Sequence, residues 1–336
     1  MSARPVYDTI EGLLDDLAGG RSWWLEPVDK HVDSLSGSPF EFAVVGSERF
    51  LIKHIAHHLD WIMRDLDDGS DGREPRALII WRAGILDALP AEIDHLTVGM
   101  AYDTTSGLLR QVLRYEPAAM VPPGDSVIPL EQHRRFLDHM AAMHAVFWGF
   151  RDTYGLTTAR RRYGFADPSF AAAEAAAGHT DPVPQMFPGG WERVATTHPE
   201  AAAVALALIA DPAPLALAMA EGPSTLVHGD WKFGNLGTLP DGRSVLIDWA
   251  WPGEAPCCVD LAWYLAVNCD RLPESKEDSS AAYRRCLERR GISTAPWWDR
   301  QLELALLGGF LQLGWSKEAD ELAWWAECSL QTARTL

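Results

Sequence analysis

Four polar side chains within residues 226–253 could take part in one reaction: Asp230, Lys232, Asn235 and Asp248. The segment reads LVHGDWKFGNLGTLPDGRSVLIDWAWPG, in which one apolar run ends in a polar triplet at Asp230 and a second ends at Asp248. Between the two runs lies LPDGR, a strong turn signal, so the segment is predicted to form a β-hairpin. Because residues at one edge of a hairpin lie close together, we expect the four side chains to approach a single point.

These side-chain types suit the transfer of a phosphoryl group. Mg²⁺ prefers oxygen ligands and usually takes one or two carboxylates together with substrate phosphates, so Asp248 and the amide oxygen of Asn235 are predicted metal ligands. Asp230 is left to orient an attacking hydroxyl and accept its proton, while Lys232 offsets charge on the transferring group. The H-G-D-x-x-x-x-N order that begins at His228 follows the kinase catalytic-loop spacing, with Gly in place of Arg. The competing interpretation is that both Asp residues are ordinary turn residues.

The predicted elements divide the chain into a β-rich part and a helical part. Residues 7–18 are predicted to form a helix that ends at Gly19-Gly20, and residues 31–54 a hairpin with a strand ending near Lys53. Further predicted elements before the Pro-rich connector YEPAAMVPPGD are a helix over 73–90 and strands near 95–103 and 107–115. After the connector we predict helices over 129–150, 198–220, 258–269, 277–290 and 298–331, with a loop-rich region over 165–190.

The charge argues against two kinds of partner. The formal net charge of −18 is unsuited to a nucleic-acid binder, which neutralises phosphates with Lys and Arg, and to docking on anionic lipid. An acidic cleft can attract a cationic small molecule, although the charge can equally serve solubility alone. The basic run Arg160 to Arg162 is predicted to be a solvated surface face.

The cysteine usage and the N-terminus favour a cytoplasmic protein. The five Cys residues are odd in number and form no CxxC pair, so neither a disulfide framework nor a zinc site is indicated. The first 16 residues are acidic and lack the apolar core of a signal peptide. The apolar run over 201–220 is interrupted by Asp211, Pro212 and Pro214, which favours a buried helix over a membrane span.

The string HGDWKFGN…LIDW…PCCVDLAWYL resembles the aminoglycoside phosphotransferase and choline kinase-like family, which shares the protein-kinase fold. The resemblance implies a two-lobed α+β fold, with a nucleotide-binding lobe over residues 1–116 and a mostly helical catalytic and substrate-binding lobe over 117–336. It implies that Asp230 is the catalytic base and that Asn235 and Asp248 hold Mg²⁺. It also makes Asp260 a structural brace for the catalytic loop and His228 part of the scaffold.

A kinase needs a lysine on its third strand that holds the nucleotide phosphates and pairs with a Glu on the following helix. Lys53 ends an apolar run at the expected place, and Glu74 opens the helix that should carry the partner. Glu74 can equally be a helix-start residue placed favourably against the helix dipole. The expected ATP contacts also include Ser36 and Ser38, in a loop with one Gly where protein kinases have three, and the connector from Leu113 to Glu116.

The acceptor of the phosphate is predicted to be a small molecule. Only eleven residues separate Asp248 from Asp260 and no A-P-E motif follows, so a peptide-docking activation segment does not fit. The acidic balance favours a cationic acceptor such as an aminoglycoside, amino sugar or amino alcohol. Its expected contacts are Asn268, Asp270, Glu274, Glu277 and Trp251, while Trp263 is expected to pack in the core. Two alternatives remain, a kinase-fold enzyme acting on a protein and an inactive nucleotide-binding module.

Overall fold

The structure is a computed structural model that describes residues 4–28, 35–65 and 74–336 of the chain. The elements up to the connector are α1 Ile10–Ala18, β1 Trp23–Pro27, β2 Phe40–Val45, β3 Glu48–Ile55, α2 Trp61–Asp65, α3 Arg76–Arg82, β4 Ile93–Asp94, β5 Thr97–Asp103 and β6 Leu108–Arg114. Five of these strands form one antiparallel sheet in the order β1-β2-β3-β6-β5.

The first helix and the central strands follow the sequence prediction. α1 ends where Gly19 adopts a left-handed conformation (φ 55°) and its backbone N–H donates to the carbonyl of Asp15. The helix packs its apolar face, which includes Leu13 and Leu14, against the sheet residues Val45, Ile52, Ala101 and Val112. β1 was not predicted, since its WWLEP sequence mixes exposed and half-buried positions at the sheet edge and lacks a strand-like alternation.

The remaining elements form a mostly helical part, as the sequence predicts. The helices are α4 Leu130–Val146, α5 Ala159–Gly164, α6 Pro168–Ala176, α7 Pro182–Thr197, α8 Pro199–Ala210, α9 Ala213–Ala220, α10 Cys258–Val267, α11 Lys276–Arg289, α12 Trp298–Leu313 and α13 Ala319–Ala333. Between α9 and α10 lie four short strands, β7 Thr225–Val227, β8 Leu236–Thr238, β9 Ser244–Leu246 and β10 Gly253–Ala255.

The predicted loop region over 165–190 is wrong, because α6 and most of α7 occupy it. In both helices a proline, Pro168 or Pro182, takes the first helical position after an Asp. At that position the missing N–H costs nothing and the fixed φ favours the helix, so these prolines start helices instead of breaking them. Pro188 lies inside α7, next to Gly189 and Gly190. Burial of Phe187 and Trp191 outweighs the poor helix propensity of these three residues.

The predicted hairpin also pairs differently. β9 pairs antiparallel with β8 across the turn at Asp241-Gly242, and it pairs parallel with the distant β4. β7, the strand before the HGD triplet, pairs instead with β10. β8 has only three residues and directly follows the polar loop, so the sequence gives no clear strand pattern for it. The strand before the HGD triplet was therefore wrongly predicted to be the partner of β9.

Two predicted long helices are each broken into two. The helix over 198–220 becomes α8 and α9, which meet at an angle of 81°, and the helix over 298–331 becomes α12 and α13. Among the described residues no single helix has both the length and the apolar character needed to cross a membrane, although α8 and α9 taken together pass that test by length and composition.

We predict that two adjacent glycines of α7 respond to alanine in opposite directions. A Cβ on Gly190 would lie 2.4 Å from the carbonyl oxygen of Trp315, whereas a Cβ on Gly189 would meet no atom within 4 Å. Gly190→Ala should therefore lower the free energy of unfolding by about 1–3 kcal/mol through overpacking. Gly189→Ala should raise it by about 1 kcal/mol through helix propensity.

Urea unfolding followed by far-UV circular dichroism measures both changes, and Gly189→Ala serves as the matched control. Equal effects of the two substitutions would contradict the close packing of α7 against Trp315.

Candidate active site

The loop that follows β7 takes a conformation that glycine permits. Gly229 has φ 82°, in the left-handed region, and a Cβ there would lie 2.4 Å from both the carbonyl oxygen of Trp251 and Nη1 of Arg162. This crowding accounts for Gly at the position where the protein-kinase loop has Arg. The loop continues through a tight turn, in which the N–H of Asn235 donates to the carbonyl of Lys232 at 2.9 Å.

Asp260 holds this loop through hydrogen bonds to its backbone. Its carboxylate is fully buried and accepts the backbone N–H groups of His228 (2.8 Å) and Gly229 (2.7 Å), together with Nε2 of His144 (3.1 Å). Burial opposes ionisation, but the hydrogen bond from His144, the neighbouring histidines and the backbone N–H of His228 together outweigh it, so the pKa of Asp260 is lowered from 3.8. These contacts fit the structural role that the family resemblance implies for Asp260.

His228 is a fully buried link between the loop and the segment after β9 that carries Asp248. Its Nδ1 accepts the backbone N–H of Asp230 (3.1 Å), so Nε2 carries the hydrogen and donates to the carbonyl of Ile247 (3.1 Å). Burial lowers the pKa of His228 and keeps the ring neutral. The ring also packs edge-on against Trp249 at 4.5 Å, which is consistent with a scaffold role.

The Asp230 carboxylate is oriented by three donors. Nζ of Lys232 donates to Oδ2 at 2.7 Å and Nδ2 of Asn235 donates to the same oxygen at 2.8 Å. Nε1 of Trp263 donates to Oδ1 at 3.0 Å. Sequence reasoning missed the role of Trp263, which was expected to pack in the core, because an indole N–H that lies 33 positions away in the sequence gives no local signal.

Asp248 pairs with the predicted nucleotide lysine. Nζ of Lys53 donates to Oδ1 of Asp248 at 2.7 Å, across 195 positions of sequence. Burial would raise the pKa of Asp248, but the ammonium groups of Lys53 and Lys232 lower it to about 2, so the carboxylate is ionised at neutral pH. Asp248 has φ 65°, a left-handed conformation that is strained for a residue with a Cβ and that recurs at functional sites.

Lys232 keeps its positive charge in this arrangement. Burial would lower the pKa of Lys232, yet the carboxylates of Asp230 and Asp248 outweigh that cost and raise it. Lys53 lies within hydrogen-bond distance of the Asp248 carboxylate, and Lys232 within that of Asp230. The result is two ion pairs facing the same space.

One cavity of about 680 Å³ joins the two ion pairs. Ten of the residues predicted from sequence lie on its wall: Ser36, Lys53, Leu113, Asp230, Lys232, Asn235, Asp248, Trp251, Asn268 and Asp270. Asn268 has a second role, because its Oδ1 accepts the backbone N–H of Phe233 and its Nδ2 donates to the carbonyl of Trp231. It therefore positions the catalytic loop as well as lining the cavity.

Five other predicted contacts lie outside the described cavity wall: Ser38, Glu74, Glu116, Glu274 and Glu277. The expected pair of Glu74 with Lys53 is wrong, because the carboxylate of Glu74, which precedes α3, is bound by Arg82 in the last turn of that helix. Glu274 binds His133 and Arg134, and Glu277 accepts Nε1 of Trp324. Their partners in neighbouring helices, which sequence does not reveal, direct these carboxylates away from the cavity.

Asp60 is a buried acidic residue that sequence reasoning missed. It accepts the hydroxyl of Ser38 at 2.7 Å and the N–H of Ile62 at 2.8 Å, and it is 2% exposed. Burial raises its pKa, and the nearby charge of Lys53 partly offsets that rise. The available signal was an Asp directly before the helical WIMRD segment, a usual helix-cap position.

Arg162 corrects another expectation. Arg160 to Arg162 were expected to form a solvated face, but Arg162 is 1% exposed and donates to the carbonyl of Trp251 at 3.0 Å. Burial lowers the pKa of its guanidinium. It is drawn inward because α5 places it directly beneath the loop at Gly229, a tertiary contact that a run of three arginines does not indicate.

The donor set fits a magnesium ion. Asp248 supplies a carboxylate that stays ionised because its pKa is about 2, and Asn235 supplies a carboxamide oxygen on the same cavity wall. Such oxygen donors, completed by phosphate oxygens and water, are what Mg²⁺ prefers.

We predict that Asp260→Asn lowers the free energy of unfolding by about 3 kcal/mol, because the amide would turn an N–H₂ donor toward buried donors. The loss should shrink as the pH falls below 3.8, since the stability that comes from the lowered pKa of Asp260 is full above that pH and is lost as the pH falls through the folded-state pKa. Thermal unfolding at pH 7 and at pH 3 measures both effects. Asp299→Asn, at a side chain that is 87% exposed, is the control and should change stability by less than about 0.5 kcal/mol.

Comparison with known proteins agrees with this geometry. The APH family, described as the phosphotransferase enzyme family, matches residues 100–292, more than half of the chain. No curated protein matches the chain in a sequence search.

Solved structures with the same fold include the choline kinase LicA from Streptococcus pneumoniae, with a TM-score of 0.52 and 12% identity, covering 97% of this chain and 99% of that one. A choline kinase from Cryptosporidium parvum Iowa II has a TM-score of 0.53 at 9% identity, and the match covers 97% of this chain and 95% of that one. An ethanolamine kinase from Plasmodium vivax has a TM-score of 0.51 at 8% identity, and the match covers 97% of this chain and 85% of that one. The predicted two-lobed α+β fold is confirmed, and the chain belongs to the phosphotransferase enzyme family.

Proposed function

We propose that this protein transfers the γ-phosphate of ATP, taken up with Mg²⁺, to a hydroxyl group of a small molecule in the cytoplasm. The observation that carries the proposal is the meeting of the Lys53–Asp248 and Lys232–Asp230 pairs on one cavity. The first pair is proposed to face the nucleotide and the second to face the acceptor.

The proposed nucleotide site lies between residues 1–116 and 117–336. Phe40, Leu51 and Leu113 supply apolar wall for the base, and Lys53 supplies the charge for the phosphates. Ser36 also lines this space, whereas the hydroxyl of Ser38 is bonded to Asp60. Leu113 to Glu116 at the end of β6 are proposed to offer backbone groups to the base.

Asp230 is proposed as the catalytic base. Its carboxylate is 4% exposed, faces the cavity and is held by Lys232, Asn235 and Trp263. The acceptor hydroxyl would give its proton to Asp230 while its oxygen attacks the γ-phosphorus and the bond to the β-phosphate oxygen breaks, leaving ADP. Lys232 offsets charge on the phosphoryl group in the transition state. Asn235 and Asp248 would hold Mg²⁺, which neutralises phosphate charge.

The chain between Asp248 and Asp260 supports a small-molecule acceptor over a protein. This stretch contains β10 Gly253–Ala255, which is paired with β7. Gly253 is also packed so closely that a Cβ would lie 2.2 Å from the carbonyl oxygen of Thr157. The stretch that corresponds to the peptide-docking segment of protein kinases is therefore short in this chain, and it is packed against neighbouring residues.

A phosphate-transfer screen tests the proposal. Mg·ATP is incubated with panels of aminoglycosides, amino sugars, amino alcohols and neutral alcohols, and products are detected by their gain in mass. We expect Asp230→Asn to reduce kcat by about 10²–10⁴-fold, the range for loss of a general base. Asp241→Asn, in an exposed turn, is the control and should retain activity. Label in a protein band, or full activity of Asp230→Asn, would contradict the proposal.

A second prediction concerns Asp248. Mg·ATP at 100 times its dissociation constant should stabilise the wild-type protein by about 2.7 kcal/mol, and Asp248→Ala should lose most of this gain because a metal ligand is removed. Differential scanning calorimetry with and without Mg·ATP measures it. An unchanged nucleotide-dependent shift in the variant would count against Asp248 as a metal ligand.

A further inference from the structure

We propose that the acceptor is an uncharged, largely apolar alcohol bound against an aromatic surface of the cavity, an inference that rests on the kinase function proposed above. It departs from the cationic acceptor that the acidic composition favours. The inference is based on the positions of the aromatic and the charged side chains that line the cavity.

Five aromatic residues form what we call the aromatic wall: Trp61, Phe165, Trp251, Trp263 and Trp315, all lining the cavity. Phe165 is central, with ring centroids 5.5 Å from Trp251, 6.3 Å from Trp263 and 6.3 Å from Trp61. Phe187, behind the wall, lies 5.7 Å from Phe165 and 5.0 Å from Trp315. The rings support one another, so the wall is continuous and preorganised.

One residue of the aromatic wall, Trp263, contacts the proposed base, Asp230. Trp263 contributes its ring to the wall and its Nε1–H to Oδ1 of Asp230 at 3.0 Å. A molecule lying on the wall can therefore present a hydroxyl to Asp230 while its body stays on apolar surface. Ile62, Val183 and Leu313 extend the same surface, and Ser316 lies beside them.

The ionised groups of the cavity offer little to a polycation. Among the described residues that line it, the acidic ones are Asp125, Asp230, Asp248 and Asp270, and the basic ones are Lys53, Lys232 and Arg271. Asp230 and Asp248 are each paired with a lysine. Asp125 and Asp270 are exposed to solvent, where an ion pair contributes little.

The choice between the two acceptor classes follows from desolvation. An ammonium group moved from water to an apolar surface needs a carboxylate partner to offset the loss of hydration. Contact with a ring face offsets part of that loss for a single cation but not for several. An uncharged alcohol has no such cost, and it gains from the apolar area that it buries.

Matched probes test the inference on the full-length protein. Calorimetric titrations use naphthylethanol (neutral and aromatic), choline (one quaternary cation) and deoxystreptamine (a polycationic aminocyclitol), each with Mg²⁺ and a non-hydrolysable ATP analogue. We expect naphthylethanol to bind at least tenfold more tightly than either cation, and to gain phosphate when ATP replaces the analogue. Tighter binding of choline or deoxystreptamine, or no binding of any probe, would overturn the inference.

Variants assign the binding to the wall. Trp315→Ala should weaken naphthylethanol binding at least tenfold, whereas Trp24→Ala, at a Trp that is 45% exposed on β1, should leave it unchanged. Ser316→Asp adds a carboxylate at an exposed position without removing buried area, so it tests the same surface should Trp315→Ala fail to fold. It should weaken naphthylethanol and strengthen choline binding, and the reverse result would overturn the inference.

The nucleotide titration separates this inference from the function on which it rests. Binding of the ATP analogue with preference for a cationic probe would leave the kinase function standing and reject the apolar acceptor. Absence of nucleotide binding would reject both.

Discussion

The carboxylate of Asp260 satisfies two backbone N–H groups that the short strand β7 leaves without sheet partners. β7 ends at Val227, and the next two residues, His228 and Gly229, donate to Asp260 at 2.8 and 2.7 Å in a fully buried site. A buried N–H without an acceptor would destabilise this turn, so the ionised carboxylate makes the loop conformation possible. The position of Asp230 and the cavity beside it depend on that loop.

The loop and the segment after β9 that carries Asp248 are held together by backbone hydrogen bonds. Nε2 of His228 reaches the carbonyl of Ile247, and the N–H of Ile247 donates to the carbonyl of Asn235 at 3.1 Å. These bonds hold the backbone of Ile247, directly before Asp248, whose left-handed φ of 65° costs about 1–3 kcal/mol in a residue with a Cβ. The pair with Lys53 gives that strained residue a partner from the sheet. Strain at Asp248 is thus offset by contacts from both parts of the chain.

The cavity combines charged and apolar surface in separate places. The ion pairs of Asp230 and Asp248 face the space where phosphates would lie, whereas the aromatic wall extends from Trp263 to Trp315. A net charge of −18 says nothing about this arrangement, because net charge does not show where the charged side chains lie. On the proposal made above, the acceptor would be selected by what lines the wall and not by the overall charge.

The sequence alone indicated the phosphotransferase family, since the H-G-D-x-x-x-x-N spacing and Asp248 are local patterns set by covalent distance. It also determined the order of a β-rich and a helical part, because hydrophobic periodicity depends on near neighbours. Tertiary structure decided the partners: Lys53 with Asp248 across 195 positions, Glu74 with Arg82, β7 with β10, and Arg162 beneath Gly229. The aromatic wall belongs to the same group, since Trp61, Phe165 and Trp315 come from distant segments. Such contacts are fixed by how helices and strands pack, which no short stretch of residues encodes.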